Sequence, residues 1–399
     1  MRYWFRAIAA GLTSEVDAIH LAEADVFGGI TPRPKRGVLI RPDEVPCNTA
    51  QSLSLNRRNH SGAIYLAYGR ERGASSHHLT PGQGFSVTLL TRPDADPDCG
   101  RLLAAGYAMW VASALGGLGG RSRHGFGAFL LQDWQLSGES SSLTEPPLLV
   151  NCARERLGPA ISEGLDAARA AIRSVLPGEL AGGTVDHMPH LTASTPIYAW
   201  DGGWRASPEA WRDALSSVGE GIQKYLRGEY SGIVPNRACR FNSQSNQIKE
   251  WLWGGPQPGS EIDDLAFGLP RGFFSNSVRE QWRQKLLEEG ETEKRAKRIS
   301  AKRARTTFDP IILGEPARRA SPLVISLVGF GGSHDPRITA ILTPMRGAFL
   351  PDTCSIHAKR TEPPQTTQAD VPTEDDFKAL ASELMKCLPV SIIAGGGPS

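Results

Sequence analysis

Between Gly116 and Gly127 the chain reads GGLGGRSRHGFG, six glycines with Arg121, Arg123 and His124 set among them. Gly117, Gly119 and Gly120 free the backbone for positive φ and for close approach by a partner. Arginine forks and backbone N–H groups then suit that partner to be an anion, since both bind phosphate oxygens without reading a base. The flanks decide what kind of anion. Arg101–Leu115 is an apolar run of helical length, and Phe126–Leu136 (FGAFLLQDWQL) reads as a strand. A Walker loop or dinucleotide fingerprint needs the opposite order, strand then loop then helix, to rest phosphate on a helix N-terminus. No Gly-Lys-Ser/Thr follows. An RNA backbone is the better candidate, with Phe126 turned into the core.

Other basic residues could join such a surface. Arg2 and Arg6 share one face of an amphipathic helix whose other face carries Trp4 and Ile8. Arg33, Lys35 and Arg36 lie in a proline-broken loop, GITPRPKR. Lys294–Arg305 holds seven basic residues and no acidic one, and Arg271, Phe273, Phe274, Arg279, Trp282 and Arg283 interleave cations with rings. Such interleaving serves single-strand binding, although burial of the rings explains it equally. The histidines are weaker candidates. His187 and His190 lack a carboxylate or thiol set that would complete a metal site. His334-Asp335 sits in turn-rich sequence. His60, flanked by Arg57 and Arg58, is the one candidate for acid–base work. No metal or other cofactor is expected, and no catalytic residue.

The elements that must position these residues follow from composition and pattern. The chain has 399 residues, 40% hydrophobic and 22% charged, with net charge +2. That suffices for two domains, and any basic surface must be local. Six scattered cysteines without a C-x-x-C pair, no secretory leader and no long apolar run point to a cytoplasmic protein that meets no membrane. In chain order the pattern predicts helices over 2–9 and to about Phe27, and strands at 37–42, 63–68 and 85–90. The 101–115 helix, the glycine loop and the strand to Leu136 follow. With a strand placed before the first helix, this is a β-α-β-β-α-β split unit. A linker, SGESSSLTEPP, begins at Ser137. Beyond it come a helix over 154–175, a strand within 191–200, a helix over 208–226 and an irregular basic region, 231–320, with a possible strand at 264–269. Two strands, 322–328 and 337–342, a helix over 374–387 and a weak strand at 390–394 complete the chain. The expected fold class is α+β in two domains, 1–150 and 151–399, the second with a basic irregular insertion around 231–320.

The glycine loop resembles the signature loop of the RAMP superfamily, the RNA-binding proteins of CRISPR systems. RYWFRAIA at 2–9, followed by AEADVFG at 22–28, looks like the helix pair of one branch of that superfamily, the tandem-RAMP first subunit of the type III-B Cmr complex. Arg318–Leu323 (RRASPL) resembles that branch's C-terminal half. The resemblance covers the first 135 residues and, less closely, 264–352. It implies two ferredoxin-like, RRM-like domains in a non-catalytic, RNA-binding CRISPR-associated subunit of antiviral defence. The subunit would contact the 3′ part of the guide RNA and its duplex with target RNA, beside other Cmr RAMP subunits. Other RAMP branches cleave RNA, so the alternative is a RAMP-type endoribonuclease that processes CRISPR RNA. One departure matters. The first domain lacks its N-terminal strand, which predicts that the native chain starts upstream or that another segment, with Val390–Ala394 as candidate, fills the slot.

Overall fold

The computed structural model describes residues 1–29, 37–43, 55–56, 58–67, 81–91, 96, 98–119, 121–135, 145–178, 182–185, 187–227, 229–230, 246–258, 271–312, 315–316, 321–347, 354–360, 365–369 and 371–395. It is a mixed α+β protein, and its chain divides into two compact units. The first is Met1–Ile222 with Leu323–Gly347 and Leu388–Ser399; the second is Gln223–Pro322 with Ala348–Cys387. Residue 150 therefore falls inside the first unit. The late strands of the sequence return to that unit to build its sheet.

In the first unit the helices are α1 (Arg2–Ala9), α2 (Val16–Phe27), α3 (Ser61–Ala67), α4 (Gly100–Leu115), α5 (Leu157–Arg173) and most of α6 (Ala210–Leu226). Helix α4 is apolar all round, and Ala104, Tyr107, Ala108, Trp110, Val111 and Leu115 are all buried. A helix with no polar face must be covered on every side. Helices α1, α2 and α5 pack on it together with the sheet. Its contact with α5 depends on Gly164, where a Cβ would enter the Trp110 indole. The same indole Nε1 donates to the Pro147 carbonyl at 2.9 Å.

The sheet runs β12 (Val390–Ala394), β3 (Ile197–Trp200), β9 (Arg337–Pro344), β8 (Leu323–Phe330), all antiparallel, with β4 (Trp204–Arg205) also on β9. Strand β8 is buried at every position, as suits its run LVISLVGF, apolar but for Ser326. A separate two-stranded sheet pairs β1 (Val38–Pro42) with β2 (Val87–Thr91). Val390–Ala394 thus does enter a sheet, at the side of β3 rather than among the N-terminal strands.

Two local expectations fail. Residues 63–68 read as a strand, yet Ser61–Ala67 is helix α3. Gly62, Ala63, Leu66 and Ala67 form its buried face, and Gly62 lies so close to Ser216 and Gly219 of α6 that no Cβ fits. Helix–helix contact overrides the local preference of Ile64 and Tyr65. Residues 126–135 carry no ladder either. Trp134 fills the notch at Gly106 of α4, and Leu130 lies beside Gly329 of β8, so side-chain packing replaces strand pairing.

The second unit holds a helix over residues 246–253 (α7), α8 (Asn276–Glu288), α9 (Glu293–Arg303) and α10 (Glu374–Cys387). Its sheet runs β11 (Gln365–Ala369), β10 (Cys354–Arg360), β6 (Arg305–Ile312), β5 (Arg271–Phe274), with β7 (Glu315–Pro316) on β6. Trp251, Leu252, Val278, Trp282 and Ile356 form its core. Much of the region expected to be irregular is therefore regular: α8 and α9 are a helical hairpin whose buried face is supplied by Val278, Trp282, Leu286, Ala296 and Ser300. The expected strand at 264–269 lies outside the described residues. Among the described residues no helix is long and apolar enough to cross a membrane.

Candidate nucleic-acid interface

The glycine loop leaves the end of α4 and is fastened at both ends. Gly116 lies against Trp4 with no room for a Cβ, and its carbonyl accepts the Ser326 hydroxyl at 2.7 Å. Leu118 N–H donates to the Gly127 carbonyl at 2.9 Å and closes the loop at its mouth. Gly127 has φ +71°, and a Cβ there would overlap the Leu118 carbonyl oxygen. A Cβ at Gly117 would stand 2.7 Å from the Gly127 oxygen. Glycine is thus required at the mouth by crossing backbones, while Gly119 is exposed, with φ +86° and open space where a Cβ would stand. The tip is where a ligand's backbone has room to approach.

The far side of the loop lies along β8. His124 bridges Ile325 in parallel fashion, and Ile325 N–H donates to the Arg123 carbonyl at 2.9 Å. Phe126, expected in the core, is half-buried, with its ring centre 6.3 Å from that of Trp211. Arg121 adopts φ +65°, the left-handed region in a residue that carries a Cβ. That conformation costs about 1–2 kcal/mol, and strain of this kind gathers at sites where geometry serves function. Arg123 stands with its Cζ 5.2 Å from the Tyr3 ring centre. Burial raises the Tyr3 hydroxyl pKa, while Arg123 and Arg6 oppose the rise. Tyr3, which the sequence reading passed over, therefore joins the loop arginine to the first helix.

His124 is pushed down to about 4, first by burial and then by the Arg121 and Arg123 charges. Its folded value lies below the ordinary histidine value of about 6.5. The unfolded chain therefore binds the proton more readily, and stability falls as pH drops from about 6.5 towards 4. His124→Gln is expected to flatten the dependence of the unfolding midpoint on pH across that window, as followed by urea titrations.

Arg2 and Arg6 have structural partners. Arg2 Nη1 pairs with Glu23 Oε1 at 3.2 Å, and its Nη2 donates to the carbonyls of Phe27 (2.8 Å) and Gly28 (2.5 Å). Arg6 Nη1 reaches Glu23 Oε2 at 3.6 Å. Glu23 is 6% exposed, so both arginines serve a buried carboxylate and the orphan carbonyls at the end of α2. The signal in the sequence was Glu23 itself, an acid on the apolar face of AEADVF. Gly120, Arg33, Lys35 and Arg36 lie outside the described residues.

Two of the histidine candidates, His60 and His190, have local partners. The His60 carbonyl caps α3 by accepting Ile64 N–H at 3.0 Å, while its ring Nδ1 accepts the N–H of Asn56, four residues upstream, at 3.1 Å. His190 is buried, with Nδ1 3.1 Å from the Met188 carbonyl and its backbone paired to Arg346. Asp335 receives the Arg337 Nε in the β8–β9 turn. Among the described residues no three histidine, cysteine or acidic side chains gather as a metal would need. A crevice lined by Trp110, Ser113, Leu130, Leu149 and Val328 is only water-sized. Comparison with known protein families and with curated proteins finds no match.

Proposed function

We propose that this chain is a non-catalytic RNA-binding subunit of a type III-B CRISPR (Cmr) effector in antiviral defence. It would hold the 3′ part of the guide RNA and the guide–target duplex beside other RAMP subunits. The observation that carries the reading is the fastened loop 116–127, which bears Arg121 and Arg123 and an exposed Gly119 with open space where a Cβ would stand. Such a loop offers phosphate a rigid, cationic, base-indifferent seat. A ferredoxin-like RAMP fold is supported by the antiparallel sheet order β12-β3-β9-β8, with α6 following β3 and the hairpin β8–β9 before β12 in the chain. A first RAMP domain over 1–150 rests on the resemblance of its motifs.

The test is guide-RNA retention by the assembled complex carrying Arg121→Ala with Arg123→Ala. We expect retention to fall at least about tenfold, since charge-assisted contacts contribute roughly 1.5–3 kcal/mol each. Unchanged retention would overturn the reading. The competing reading, a guide-processing endoribonuclease, predicts site-specific cleavage of repeat RNA that disappears in His60→Ala. The engagement of the His60 Nδ1 by the Asn56 N–H argues against it.

A further inference from the structure

Where β8 turns into β9, the end of the first unit's sheet carries a row of arginines that the glycine loop does not use. Phe330 of β8 stands opposite Arg337 of β9, and Arg337 stands opposite Arg205 of β4. Both pairings are antiparallel and in register, so the three side chains lie on one face of the sheet. The Ala206 N–H donates to the Pro336 carbonyl at 2.8 Å and carries the ladder past Arg205. Arg154, from the segment before α5, joins the row. Its Cζ lies 5.6 Å from the Phe330 ring centre, and its Nη2 donates to the Trp200 carbonyl at 2.8 Å. Three arginines thus border one buried ring.

Their charges are incompletely matched. Arg337 gives only its Nε to Asp335, at 3.1 and 3.0 Å, which leaves both Nη groups of its fork. Arg205 is exposed and has no acceptor for its guanidinium among the described residues. Arg154 Nη1 is buried without a partner, and burial lowers the Arg154 pKa although Asp201 opposes it. Residues directly opposite on antiparallel strands have Cβ atoms about 4.5–5.5 Å apart, and like charges there are destabilising. The ladder would be better served by a neutral or acidic residue at 205, whereas an anion between the two forks removes the repulsion. Guanidinium forks match the paired oxygens of phosphate. The row lies open, with the Arg337 side chain 39% exposed, so it does not enclose a small anion. A polyanion needs no enclosure, because each phosphate contact releases counterions. Protein interfaces centre on apolar and aromatic side chains, but Phe330 is only 4% exposed. The partner that fits is a nucleic-acid backbone.

We propose that Arg205 and Arg337, backed by Arg154, form a second phosphate-binding site that takes the RNA backbone without reading its bases. This rests on the RNA-binding reading of the chain but assigns residues outside the glycine loop. It also carries its own signature: removing the charge at 205 weakens RNA binding without weakening the fold. The test measures anisotropy of the full chain with a labelled 20-nucleotide single-stranded RNA over a salt series, beside urea unfolding of the same variants. Arg205→Gln is expected to weaken binding about fivefold and to flatten log Kd against log salt by about 0.7, with the urea midpoint unchanged or higher. Arg205→Glu, which gives Arg337 an acid across the strands, should raise the midpoint and weaken binding further. Arg205→Lys keeps the charge and should hold the parent's slope. An unchanged Kd and slope in Arg205→Gln/Arg337→Gln would overturn the proposal. So would a lowered midpoint in Arg205→Gln, which would make Arg205 a structural residue. Efficient competition by inorganic phosphate at matched ionic strength would mark a small-anion site and overturn it too. Loss of partner subunits from the assembled complex with RNA binding intact would do the same, by marking an acidic protein as the occupant. A parent chain without measurable affinity at low salt also sinks the row, while the loop keeps its own test in the assembled complex. Arg121→Ala/Arg123→Ala, run in parallel, separates the two sites. Loss there alone sinks the arginine row and keeps the loop; loss in the row variants alone does the reverse.

Discussion

Gly127→Ala is expected to destabilise the first unit by about 3 kcal/mol, combining left-handed strain with a steric clash that has no soft neighbour. The added Cβ meets the Leu118 carbonyl oxygen, a backbone atom that cannot rotate away, at the point where Leu118 N–H closes the loop. Gly119→Ala supplies the control. Its φ is equally positive, but nothing lies within reach of its Cβ, so only the conformational cost of about 1 kcal/mol remains. Urea unfolding of the two variants measures the difference, and equal midpoints would show that the crossing at the mouth does not constrain the loop. On the proposed RNA-binding reading, guide-RNA retention follows the same order, because Gly127 sets the shape of the loop that carries Arg121 and Arg123.

Trp110→Ala is expected to cost about 3–5 kcal/mol, the range for emptying a large aromatic site in a closed core. Trp110 is among the largest fully buried side chains, and its far ring fills the notch at Gly164 where α4 and α5 cross. Gly164→Ala attacks the same contact from the other side, at about 2 kcal/mol. The atoms that a Gly164 Cβ would meet are Cη2, Cζ2 and Cζ3 of the indole, which a phenylalanine lacks. Gly164→Ala should therefore cost markedly less in a Trp110→Phe background, with a coupling of about 1 kcal/mol or more in a double-mutant cycle. Additive losses would mean that the helices adjust by moving apart.

What could be read from the sequence was what local pattern controls. Helix α4, the glycine loop after it, the β8–β9 hairpin and α10 follow from apolar runs and their punctuation. Helix α3 did not, because SGAIYLA is helical only through its close seat on Gly219 and Ser216 of α6, a contact far away in sequence. Arg2 and Arg6 looked like ligand-binding cations because their partner Glu23 lies a helix away. The basic stretch 294–305 looked irregular, although Thr292 and Glu293 open a helix whose buried positions are only Ala296 and Ser300. Small buried residues leave little periodic signal. Of the loop itself, the run of glycines leaving the end of α4 was legible; the contacts with Tyr3, Ser326 and Ile325 were not, since each joins the loop to a distant segment.

The interleaving of the two units also bears on how the protein is made. Strand β3 (Ile197–Trp200) takes its partner β12 from Val390–Ala394, and the whole of the second unit is synthesised between them. At ribosomal speeds of about 5–20 residues per second, the roughly 190 intervening residues delay that pairing by about 10–40 s. During this interval β3 has an unpaired edge and the apolar α4 has an incomplete cover. Folding of the first unit is therefore largely post-translational and slow, as non-local strand pairing requires. A nascent chain in that state is the form of this protein that most needs a chaperone.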